Sequence, residues 1–280
     1  MSDHRFERVV GVDFSGAAIP GKLIWIAACE VLPDAMLRLA SLRSLDELCG
    51  RSERDECLGW LVDHIARSGR ALWGMDFPFS LPIEIAGAER DQLKWVKRFE
   101  GNAYDFGRVC VSRAMNLGEK LHLRRDTDIE TKTPFDCYHY RIVCQTFHGM
   151  RDVLLPLRSR RGVAVVPLEM RKMARAETIV VEACPGSTLK RMGLPHNRYK
   201  EPTSRVIAKS KRAVREAILR GLGAHMEIDR ASREVALAQP GGDALDAIIA
   251  AVGSWNAWRA ADLNAIARHP RYPREGLVFA

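Results

Sequence analysis

With 280 residues, of which 47% are hydrophobic and 28% charged, the chain can bury one sizeable core, and its composition argues against disorder, low complexity and fixed-period repeats. The first eight residues are polar and lack the apolar run of a signal peptide, and no later stretch reaches the roughly 18 apolar residues of a membrane span, so a cytoplasmic protein without membrane contact is expected. The net charge of +8 is uneven: residues 101–225 hold 24 Lys and Arg against 12 Asp and Glu, which suits a polyanionic partner such as nucleic acid, or a solvated basic face.

Residues 8–14 (RVVGVDF) form an apolar, β-branched run that ends in Asp13 and a Ser-Gly turn, as a buried strand does. Residues 22–32 and 36–42 read as two further strands, joined by loops short enough for an antiparallel meander. Leu58, Leu61, Val62 and Ile65 then stand at helical spacing, and residues 70–76 (RALWGMD) make another apolar run ending in an acid. A crossover helix implies that this fourth strand lies parallel to its neighbour, which puts Asp13 and Asp76 at the same carboxyl edge, where α/β sheets bind ligands.

Residues 83–161 are helical, basic and aromatic, and are expected to form a cap inserted into one domain spanning 1–280. Strand character returns at 162–168 and at 177–183, where Glu182 precedes Cys-Pro-Gly. Residues 205–222 read as a basic helix, and a short helix or strand fits 226–238. Gly241-Gly242 opens a long apolar helix over 243–258, whose small residues would let it lie close to a sheet. Asp243 and Asp246, three apart, share one face of its first turn.

Five acids thus recur at strand ends or in a first helical turn. Converging carboxylates repel one another unless a cation neutralises them, and an oxygen-only ligand set favours Mg²⁺ or Mn²⁺ over zinc. Asp13, Asp76, Glu182, Asp243 and Asp246 are the expected metal ligands, and all but Asp243 are assigned to catalysis. Two ions among them would activate a water and clamp a phosphodiester. Asp243 after Gly-Gly equally suits helix capping, and Asp13, Asp76 and Glu182 each stand in turn-like contexts.

Ser15, Arg108, Arg124, Arg125, Arg141, Lys209 and Arg212 are the expected nucleic-acid contacts, with Tyr104, Tyr138 and Tyr140 interleaved for stacking. Helix packing or solvation would explain them as well. The histidines show no paired ligand spacing, and the seven cysteines form no C-x-x-C pair, which argues against a disulfide framework and a zinc clasp.

The segments GVDFSG, WGMDFPFSLP, VVEACPGSTLKRMG and GGDALDAIIAA resemble the motifs of a family of uncharacterised proteins identified as predicted nucleases with a ribonuclease-H-like fold. The resemblance implies a mixed five-stranded sheet flanked by helices. By similarity Asp13 matches the first-strand aspartate, Asp76 and Glu182 the acids after later strands, and Asp246 the last acid of a D-x-x-D helix. GVDFSG also resembles the first phosphate loop of actin-like ATPases and phosphotransferases, an alternative weakened by the lack of a second such loop. A catalytically silent nucleic-acid-binding module is a third possibility.

Overall fold

A computed structural model describes residues 6–89, 91–118, 120–201 and 206–280. Arg205, where the expected basic helix begins, lies outside the described residues.

The architecture is α/β, built on one mixed sheet. Strands β1 (Arg8–Asp13), β2 (Trp25–Val31) and β3 (Leu37–Ser44) form the expected meander, and the crossover helix Arg54–Ala66 leads to β4 (Ala71–Asp76), parallel to β1. Strands β5 (Val163–Val166), β6 (Thr178–Glu182) and β7 (Met226–Glu227) complete the order β5-β6-β4-β1-β2-β3-β7. Among the described residues the sheet therefore has seven strands, not five. β5 extends the parallel half, and the two-residue β7 pairs in parallel with β3.

Strand alternation sorts side chains between two apolar layers. On one face Val10, Val12, Trp73, Met75, Val165 and Val180 pack with the crossover helix and with Phe106, Phe147, Met150 and Leu154 of the inserted segment. This segment is thus the sheet's covering layer on that side as well as a rim to the site. On the other face Val9, Leu72, Ile179 and Val181 meet the long helix Asp243–Ala260, with Lys209–Leu222 and Arg230–Ala238 outside it.

The long helix is apolar nearly all round, as expected of a helix enclosed by protein. No single helix among the described residues is long and apolar enough to cross a membrane.

Its fit against the sheet depends on two glycines. Gly11 and Gly74 are register partners on β1 and β4, and both face the helix. A Cβ at Gly11 would collide with the Ala247 carbonyl and the Ala251 amide, and one at Gly74 would collide with the Ser254 side chain. The small residues Ala247, Ala250, Ala251 and Ser254 supply the helix side of this seam. Main chain thus lies nearly on main chain, and the first turn of the helix reaches the carboxyl ends of β1 and β4.

Candidate metal centre

At that edge Asp13 and Asp76 are direct register partners at the ends of parallel strands. Asp246 descends on them from the long helix, and one carboxylate oxygen from each of the three lies within 4.8 Å of the others. The donors are all oxygens, and Asp13 and Asp246 are buried, a set suited to a hard divalent cation. They line a cleft of about 500 Å³ whose walls include Phe14, Ser15, Phe135, Lys190, His196 and Asn197.

The electrostatics are those of acids held together. Burial, followed by the charges of Asp246, Asp76 and Asp243, pushes Asp13 well above the ordinary carboxylate range, with Lys200 opposing. Burial and Asp246 push Asp76 up to about 7. Burial also raises Asp243, although Gln239 Nε2 donates to its Oδ2 over 2.9 Å and lowers it.

A stability prediction follows for protein kept in EDTA. Between the ordinary Asp value of 3.8 and about 7, folded Asp76 keeps its proton while an unfolded Asp76 has released it. The folded state then binds more protons, so stability falls as pH rises through this window. Calorimetry from pH 5 to pH 8 should show a falling Tm, and saturating Mn²⁺ should flatten the slope. A Tm that rises over this range in EDTA would contradict the electrostatic picture.

Glu182 lines the same cleft and its charge also raises Asp76, but it stays outside the close group, and the reason is the period of a strand. β6 pairs with β4 so that Met75 aligns with Glu182, which places Glu182 on the face of Met75, opposite the helix that carries Asp246. There it meets Arg125, whose side chain is 1% exposed. Arg125 Nη1 donates to Glu182 Oε2 over 2.8 Å, while Nε and Nη2 donate to Asp128 over 3.0 and 2.8 Å. The Phe79 amide donates to Glu182 as well, over 3.0 Å. Burial raises the Glu182 pKa, and Arg125 works against that rise. Glu182 is therefore one partner in a buried ionic clasp between β6 and the inserted segment.

Asp243 is on the cleft wall but outside the close group, following Gly242 at the start of the helix. Among the expected nucleic-acid contacts, Arg125 is buried in the clasp at the cleft wall, its guanidinium bonded to Glu182 and Asp128. Arg124 donates to the Thr133 and Pro134 carbonyls, Arg212 pairs with Glu234 and Glu216, and Arg108 pairs with Asp105. Arg141 and Lys209 are exposed. Ser15 lines the cleft, and its Oγ accepts from the Ala17 amide over 3.3 Å in a local turn.

Two residues beside the acids, Lys200 and Tyr199, carry almost no sequence signal, and a third, Arg215, takes a place other than the expected exposed one. Lys200 forms an ion pair with Asp246 Oδ2, and the Tyr199 hydroxyl donates to Asp246 Oδ1 over 2.8 Å. Arg215, in the helix read as solvated or nucleic-acid-facing, is fully buried. It donates to the Tyr199 carbonyl over 2.7 Å and to the Pro240 carbonyl over 2.8 Å. It thereby ties the Tyr199-Lys200 segment to the loop before the long helix. The one local signal for Lys200 is its place beside a tyrosine in NRYKEP, too short to stand out.

No protein-family model, curated protein or solved structure matches this chain.

Proposed function

We propose that the chain is a metal-dependent hydrolase of phosphodiester bonds in DNA or RNA, built on a ribonuclease-H-like fold. The observation that carries this reading is the convergence of Asp13, Asp76 and Asp246, from two parallel strand ends and a helix, into one oxygen-donor cluster. The fold reading is supported by the meander, crossover and parallel β4, with β2 the strand that runs against its neighbours.

Asp13, Asp76 and Asp246 would hold Mg²⁺ or Mn²⁺, which when bound supplies a water acidic enough to attack phosphorus and charge to stabilise the departing oxygen. Ser15 and Lys190 flank the cleft where a phosphate would enter.

The cleft wall also supports a nucleic-acid substrate. Phe135 stacks on His139 with ring centroids 4.5 Å apart, and His139 lies 4.6 Å from the exposed Tyr140 ring. Arg141 sits 5.7 Å from the Phe135 centroid and 5.8 Å from that of Tyr140. A run of rings with a cation alongside, beginning at Phe135 on the cleft wall, matches the way single strands are held by stacking and phosphate neutralisation.

The test is cleavage of single- and double-stranded DNA and RNA in Mn²⁺ or Mg²⁺, comparing wild type with Asp13→Asn and with EDTA. Cutting by wild type alone is the expected result. Cutting by folded Asp13→Asn, or cutting in EDTA, would refute the assignment, and nucleotide-dependent thermal stabilisation without cutting would favour an ATP-using enzyme.

A further inference from the structure

Lys200 is set into the centre by several independent restraints. Its neighbours are fixed on both sides, since Arg215 holds the Tyr199 carbonyl and the Glu201 amide donates to the Pro240 carbonyl over 2.9 Å. Its stem lies against Gly242, where the backbone takes φ 87° and a Cβ would stand 3.2 Å from Lys200 Cγ. From there the ammonium reaches Asp246 Oδ2 and faces the charge of Asp13. The side chain is nevertheless 46% exposed, so the ammonium also faces the cleft.

Four aspartates, Asp13, Asp76, Asp243 and Asp246, line this side of the cleft, and Lys200 is the cation ion-paired within them among the described residues. A two-ion centre needs carboxylate oxygens free for both ions. Here Asp246 Oδ1 accepts from Tyr199 and Oδ2 is paired with Lys200, while Glu182, on the cleft wall, stays outside the close group with its carboxylate bonded to Arg125 and the Phe79 amide. The close group offers one oxygen each from Asp13, Asp76 and Asp246, the ligand set of one divalent ion.

We propose that Lys200 is a built-in second cation of this centre, so that the site takes one divalent ion and the ammonium supplies the charge a second ion would bring to the reacting phosphate. This inference rests on the reading of the cluster as a divalent-metal site.

The test is Mn²⁺ alone, titrated into the full chain, with free ion followed by electron paramagnetic resonance. Wild type and Lys200→Arg should each bind one Mn²⁺ per chain. Lys200→Met, which keeps the stem and loses the charge, should bind two, because Asp246 and Asp13 are left without their counter-charge. Cleavage at Mn²⁺ sufficient to fill one site should fall about a hundredfold in kcat for Lys200→Met, recover in part for Lys200→Arg, and return toward wild type in Lys200→Met once more Mn²⁺ fills the second site. Two ions in wild type, or one ion in both wild type and Lys200→Met, would overturn the role of Lys200 and leave the metal centre standing. No bound ion in wild type would overturn both. Faster cleavage by Lys200→Met would show that the lysine blocks the site, and would equally overturn the proposal.

Discussion

Asp246→Asn is expected to lower metal-dependent cleavage by about a thousandfold or more, whereas Glu182→Gln should leave it within a few-fold of wild type. A thousandfold corresponds to about 4 kcal/mol of lost transition-state stabilisation, in the range expected when a ligand of a catalytic cation loses its charge. The contrast arises from the sheet. Asp246 closes on Asp13 and Asp76 from the helix side, and Glu182 points to the opposite layer, where Arg125 and the Phe79 amide hold it. Glu182→Gln should instead cost about 2 kcal/mol of stability, because it weakens a hydrogen bond between charged, buried groups. Steady-state cleavage and denaturant melts on the two variants separate these effects. Equal loss of cleavage in both would place Glu182 in the chemistry after all.

Arg125→Met should cost about 3–5 kcal/mol of stability, since removing one partner of a buried ionic cluster leaves uncompensated charge behind. Glu182 and Asp128 would both remain buried at 2% exposure with no cation between them. The triple change that also neutralises both acids, Arg125→Met with Glu182→Gln and Asp128→Asn, should recover part of the loss. Chemical denaturation reads both outcomes, and an Arg125→Met midpoint equal to wild type would show that the clasp contributes nothing.

Much of the frame was legible because it is local. The strand ends at Asp13 and Asp76 follow from apolar runs stopped by an acid, and the crossover helix between them fixes the parallel pairing. The glycines, alanines and D-x-x-D of the long helix pointed to close packing at the same edge. Strand-end acids look alike in sequence, however, and only strand pairing reveals that Glu182 is in register with Met75 rather than with Asp76. Alternation along VVE places Glu182 on the face of Val180, but the pairing with β4 is needed to say which face that is.

Other features depend on contacts distant in sequence. Arg124 and Arg125 are adjacent basic residues, one exposed and one buried, and only the arrival of β6 and Asp128 distinguishes them. Lys200 acquires its partner from 46 residues further along, once Arg215 has fixed its segment. β7, two residues long, is too short for any periodicity to reveal, and it exists because His225 and Met226 pass beside the start of β3.

The seam between Gly11, Gly74 and the long helix determines how the centre can tolerate change. Where backbones touch, no rotamer is available to absorb a shift, so the separation of Asp246 from Asp13 and Asp76 is calibrated by main-chain thickness. Substitutions elsewhere in the apolar layers can alter packing without resetting that gauge. The inserted segment on the opposite side can therefore diversify in its contacts with ligand while the distances among the acids stay constant.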